Sequence, residues 1–72
     1  MQISEIGNIF TYHKPFGTQQ VRYVELREKA KELALLIQTN CPESKEKSLA
    51  LTNLQQTIMW ANAGIAINEK EF

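Results

Sequence analysis

Cysteine, histidine and net charge are what this chain has least of. With a single cysteine, Cys41, no disulfide can close within the chain. The one histidine, His13, lies far from Cys41 in sequence, and the pair offers no metal-ligand spacing. Lys and Arg number 8 and Asp and Glu number 8, so the formal net charge is zero. Proteins that coat duplex DNA draw much of their affinity from a basic stripe, so this balance argues against that class. It still allows a small anionic ligand held by two or three local cations. No apolar run approaches the roughly 20 residues that span a bilayer, so no membrane association is expected. The opening MQISEIGNIF lacks a basic segment followed by an apolar one, so no secretory leader is expected either. Repeats and low-complexity tracts are absent. Cys41 reads as a half-buried turn residue or as a reactive thiol beside a helix start, and the turn is the simpler reading. Unpaired cysteine fits a reducing, intracellular setting.

What is present fits one small helical domain. The chain has 72 residues, 43% hydrophobic and 22% charged, which is a globular rather than a disordered composition. A chain this short buries a small share of its surface, so without disulfide or metal it is marginal unless it associates. Residues 1–17 read as an N-terminal arm, broken by Gly7, Asn8, Pro15 and Gly17, with at most one short helical turn near Ile3–Ile6. Thr18 is expected to cap a first helix through its hydroxyl. From there Tyr23, Leu26, Ala30, Leu33 and Ile37 step by three and four residues, which places them on one stripe of a helix over about 18–39. Glu25 and Lys29 are expected to pair at i,i+4.

The segment TNCPES ends that helix. Asn40 suits its C-terminal cap, and Pro42 suits the first position of a second helix, with Glu43 near the positive end of its dipole. Leu51, Leu54, Ile58, Ala61 and Ile65 repeat the stripe over about 42–68. Two long helices joined by a few residues must run antiparallel. The expected fold is all-α: an N-terminal arm followed by a two-helix antiparallel hairpin spanning 18–72, with the arm at its open end. Val24, Leu35, Leu36, Leu49, Met59, Trp60, Ala63 and Ile67 fall off the two stripes, and a lone hairpin would leave them in water. Association into a homo-oligomer is therefore expected, unless the arm folds back over them. Gly64 within a helix costs about 1 kcal/mol relative to Ala, so a close-packing reason is expected for it.

Catalytic chemistry is thinly represented. His13 has no neighbouring carboxylate to orient it, and Cys41 falls at the opposite end of the hairpin, so no enzymatic activity is expected. Glu28 and Glu32, one turn apart, sit among cations and read as a solvated face. Binding residues are better represented. Arg27 and Lys31 are like charges at i,i+4; either Glu28 neutralises Lys31, or the two cations flank a phosphate, which the Arg fork suits. The arm FTYHKPFG brings Phe10, Tyr12, His13 and Lys14 together. Rings stack on nucleobases and cations take phosphates, so the arm can line a nucleotide site. Phe10 itself reads better as a hydrophobic plug in the open end. Tyr12 and His13, with polar edges, suit either solvent or a ligand. Among the polar residues of the second helix, Asn62 is flanked by small and aromatic residues, and reads as a pair across subunits or as a ligand contact.

The segments FTYHKP, RYVELREKAKELALLI, CPESKEKSLALTNL and MWANAGIA occur in order from about residue 10 to 68 and together resemble phage anti-CBASS protein 2. That family consists of small helical hairpins that act as cyclic-oligonucleotide sponges, and a related hairpin occurs in Thoeris anti-defence proteins. The resemblance implies a homohexamer working in the cytoplasm of an infected bacterial host. It implies sequestration, without cleavage or cofactor, of cyclic dinucleotides such as 3′,3′-cGAMP in a pocket where two subunits meet. The competing reading is a structural or adaptor hairpin that oligomerises and binds a protein partner. By the resemblance, Tyr12 matches an aromatic that stacks on a base, and Arg27 a cation that serves the phosphates. His13, Lys14 and Lys31 join the candidate ligand-binding set on their chemistry alone. The chain departs from the pattern at Ile67, where the resemblance implies an Arg for binding cyclic trinucleotides at a three-subunit site. An apolar Ile67 cannot pair with phosphate, although Lys29, matched to a hydroxyl position of that site, offers a substitute cation.

Overall fold

The computed structural model describes residues 1–70 and contains three helices: α1 (Ile3–Ile9), α2 (Gln19–Asn40) and α3 (Lys45–Asn68). There is no strand among the described residues. Helices α2 and α3 form the hairpin, joined through residues 41–44. The molecule measures 46 × 28 × 13 Å, so its thinnest dimension is close to that of one helix with its side chains.

Helix α1 is longer than the single turn expected, since Gly7 and Asn8 lie inside it. Two local devices hold it. Glu5 Oε1 accepts the Gln2 N–H at 3.3 Å at the start, and Thr11 Oγ1 donates to the Gly7 carbonyl at the end. A tertiary bond adds to them: Asn8 Nδ2 donates to the Ile67 carbonyl at 3.1 Å. A seven-residue helix is not stable alone, so these hydrogen bonds, and not a buried face, set its position.

The turn into α2 needs Gly17, whose φ of +56° lies in the left-handed region. Thr18 is the N-cap residue, but its hydroxyl does not cap; it accepts from Arg22 Nε at 3.0 Å. The capping-type exchange falls instead to Gln19 and Phe16. The Gln19 N–H donates to the Phe16 carbonyl, and the Phe16 N–H donates to Gln19 Oε1, both at 3.1 Å.

At the far end the helix boundaries shift from the expected ones. Asn40 is the last residue of α2 and its amide donates to the Leu36 carbonyl at 2.8 Å; Cys41 is the C-cap. Cys41 is exposed, not half-buried. Pro42 stays in the connection, because Ser44 is the better N-cap: its Oγ accepts the Lys47 N–H at 3.1 Å, so α3 starts at Lys45. Glu43 therefore precedes the helix, where it pairs with Lys47 Nζ at 2.6 Å. Lys47 is only 6% exposed, and its ammonium also donates to the Gln38 carbonyl near the end of α2.

The seam follows the sequence pattern with one exchange. Tyr23, Leu26, Ala30 and Ile37 are half-buried against Leu51, Leu54, Ile58, Ala61 and Ile65, but Leu33 is exposed and Ala34 takes its place. Ala34 follows Ala30 at i+4, and its small side chain suits a close approach of the two helices. No hydrophobic residue is fully buried among the described residues; the two buried side chains are polar, Gln19 and Lys47. A single layer of two helices has one contact seam and cannot surround a core. Val24, Leu35, Leu36, Leu49, Met59 and Trp60 remain exposed as expected, while Ala63 and Ile67 are half-buried.

Candidate functional site

The open end of the hairpin is closed by polar groups. Arg22 on the first turn of α2 makes a bidentate pair with Glu69, just past α3: Nη1 reaches Oε2 and Nη2 reaches Oε1, both at 2.6 Å. Gln19 Nε2 adds a bond to Glu69 Oε1 at 3.1 Å and another to the Ile65 carbonyl at 3.4 Å. The Arg22 guanidinium, followed by the Gln19 amide, holds the Glu69 carboxyl down at a pKa of about 2. The same hydrogen bonds raise Arg22 from its ordinary value. Phe10 was expected to plug this end and does not. It is 83% exposed, because it sits at the C-cap of α1 and the space beside α3 is taken by Gln19 and Glu69.

The arm residues lie beside this closure. The His13 ring is half-buried, and its Nε2 is 2.7 Å from the Asn8 carbonyl; a carbonyl only accepts, so Nε2 carries the hydrogen. Asn8 in turn holds the Ile67 carbonyl, so His13 is tied through Asn8 to the end of α3. Tyr12 is 82% exposed and Lys14 is exposed. Thus rings and a cation are presented outward at the open end.

Arg27 and Lys31 are exposed on α2. They lie eight and twelve residues beyond Gln19, which places them about 12 and 18 Å further along the axis. Among the described residues no hydrogen bond or ion pair links either of them to Tyr12, His13 or Lys14. Within one chain the arm and the helix cations are therefore separate clusters.

A groove of about 380 Å³ is lined by Arg22, Glu25, Leu26, Lys29 and Ile65. Its size suits a small ligand. Its two cations are already committed, however. Arg22 is held by Glu69, and Lys29 lies 3.6 Å from Glu32 rather than pairing with Glu25 as expected. The two carboxylates compete for an exposed lysine over a few tenths of a kcal/mol, so either geometry is accessible. By contrast, Lys14, Arg27 and Lys31 have no carboxylate partner among the described residues, and Glu28 does not neutralise Lys31. Unpaired cations are the ones with charge available for a phosphate.

Sequence reasoning missed Gln19, Arg22 and Glu69. The opposite charges of Arg22 and Glu69 were the signal, because an antiparallel hairpin brings the start of one helix beside the end of the other. Asn62, singled out in the sequence, is half-buried, and its Oδ1 is buried without a hydrogen-bond partner among the described residues. No group of His, Cys, Asp and Glu among the described residues is arranged to hold a metal. No described helix is long and apolar enough to cross a membrane.

No curated protein and no solved structure matches the chain. One family model does, described as the Acb2/Tad1 hairpin domain, and it covers residues 2–66. The matched span takes in the arm, the whole of α2 and all but the last two residues of α3, so arm and hairpin are matched as one unit. The chain belongs to the Acb2/Tad1 hairpin-domain family, to which anti-CBASS protein 2 also belongs.

Proposed function

We propose that this protein is an anti-defence sponge. It sequesters cyclic dinucleotide second messengers such as 3′,3′-cGAMP, uncleaved, in the cytoplasm of an infected bacterial host, and so keeps them from immune effectors. Family membership over residues 2–66 carries this reading. The geometry supports it in three respects. Tyr12 offers an exposed ring for base stacking. Arg27 and Lys31, joined by Lys14, offer cations that no carboxylate among the described residues neutralises. His13 borders the same surface, with its Nε2 already committed to the Asn8 carbonyl.

The arm and the Arg27–Lys31 cluster are separate within one chain, so the proposed pocket forms between copies, in a homohexamer. The exposed faces around Leu35, Leu36, Met59 and Trp60 supply apolar surface for that assembly. Asn62 Oδ1 finds no donor among the described residues, and a second copy or the ligand supplies one. A charged dinucleotide enclosed between rigid helices loses little on ordering the protein, and that favours the slow release a sponge requires. Ile67 is apolar and half-buried, so cyclic trinucleotides are not part of the proposal.

The test is to incubate the protein with 3′,3′-cGAMP, remove free ligand, and then denature by heat and protease. Intact ligand in the released fraction supports sequestration. Cleavage products would make the protein an enzyme. Retention of nothing would leave the adaptor reading, in which Met59 and Trp60 dock a protein partner.

A further inference from the structure

The most enclosed side chain among the described residues is an amide, and every polar atom on it is used. Gln19 is 2% exposed in a chain with no fully buried hydrophobic residue among those described. Its Oε1 accepts the Phe16 N–H at the end of the arm, and its Nε2 donates to Ile65 and Glu69 at the end of α3. Glu69 is fixed by Arg22, and Arg22 by the Thr18 hydroxyl. The other end of the arm is tied to the same turn of α3, where Asn8 donates to the Ile67 carbonyl. The segment from Ile9 to Pro15, with Tyr12, His13 and Lys14, is thus strung between two anchors on one helix terminus. The Tyr12 ring is almost bare, so its position is set by the anchored backbone and not by packing of the ring.

We propose that Gln19 is a positioning residue for ligand binding: it orders the aromatic arm against α3 in the free protein, before any ligand arrives. Its effect on affinity rests on the sponge reading, but its effect on the arm does not. Ordering a loop only when a ligand binds sets the lost chain entropy against affinity; ordering it during folding removes that cost from the binding step. Gln suits the position where Glu does not. A carboxylate there would face Glu69 and could donate to neither Glu69 nor the Ile65 carbonyl.

The test uses the full chain carrying Gln19→Met, which keeps length and helix propensity and removes the three side-chain bonds. Backbone ¹⁵N relaxation of the ligand-free protein reads the order of residues 11–16, with Leu26 and Leu54 in the seam as reference. The dissociation rate of a fluorescent cyclic dinucleotide is read in parallel. The arm order parameter is expected to fall from a rigid value of about 0.85 to below about 0.6 while the seam stays rigid. The probe is expected to leave about ten-fold faster. An unchanged arm, or a seam that loosens as much as the arm, overturns the proposal. So does a loosened arm with an unchanged dissociation rate. If Gln19→Met does not fold, Gln19→Glu decides: it keeps an acceptor for the Phe16 N–H but can donate to neither Glu69 nor the Ile65 carbonyl, and the same selective loosening of the arm must follow. If the unaltered protein fails to bind the probe, the sponge reading falls and the relaxation data alone decide the role of Gln19.

Discussion

Arg22 and Glu69, 47 residues apart in sequence, meet through two hydrogen bonds of 2.6 Å and close the open end of the hairpin. Glu69 is the C-cap of α3, so this pair and the Gln19 amide join the start of one long helix to the end of the other.

The pair gives stability a defined pH dependence. Glu69 titrates at about 2 in the folded protein, against about 4.3 for an unperturbed Glu. A lowered carboxylate pKa contributes stability that is fully present above the unfolded value and is lost as pH falls through the folded one. Thermal melts followed by circular dichroism should therefore show a falling midpoint between about pH 4.3 and 2. Glu69→Gln should flatten that part of the profile. An identical acid limb in the variant would remove Glu69 from the account.

The long-period features of this fold were legible in the sequence, and the pins at its two ends were less so. The stripe from Tyr23 to Ile37 is repeated apolar spacing, a local signal that survives in the half-buried seam with only Leu33 displaced by Ala34. The closure at Gln19 depends on groups brought together from positions 16, 65 and 69, and a polar residue at a helix start gives no local sign of burial. Lys47 is a similar case: its i,i+4 relation to Glu43 is visible, but its burial follows from the carbonyl of Gln38 across the turn. Of the candidate site, the exposed Tyr12 and Arg27 were named from residue type together with the family resemblance, and Lys31 from residue type alone. In the proposed pocket they meet a ligand between copies, and the pattern of one chain carries no register for that.

Tyr12→Ala and Arg27→Ala should each weaken binding of 3′,3′-cGAMP by about ten-fold or more, a loss of about 1.4 kcal/mol or greater. Neither residue carries an internal side-chain bond among those described, so the fold should be unaffected. Isothermal titration calorimetry with the two variants checks this, with circular dichroism as the folding control. Unchanged affinity in both would place the pocket elsewhere, with the groove beside Leu26 and Ile65 the next position to test.

Gly17→Ala should destabilise the fold by about 1–2 kcal/mol, because its φ of +56° forces an L side chain into the left-handed region. A Cβ there meets nothing within 4 Å, so the cost is conformational and not steric crowding by neighbours. Urea denaturation measures it. Since Gly17 lies between the Phe16 and Gln19 bonds, the variant should also loosen the arm.

Gly64→Ala separates the needs of the single chain from those of an assembly. A Cβ at Gly64 meets nothing within 4 Å in its own chain, and Ala is about 1 kcal/mol better in a helix interior, so an isolated hairpin should gain stability. The glycine follows Trp60 by one helical turn, and Trp60 is 76% exposed. Where a second copy packs over that face, the added methyl group meets the neighbour and the gain is reversed. The expected result is a shift to smaller particles in light scattering, from a starting size well above the 8.3 kDa of one chain. Trp60→Ala should produce the same shift by removing apolar contact area. A rise in melting temperature for Gly64→Ala with no change in particle size would place this face of α3 outside the interface, and the exposed Leu35–Leu36 face of α2 would then carry the association.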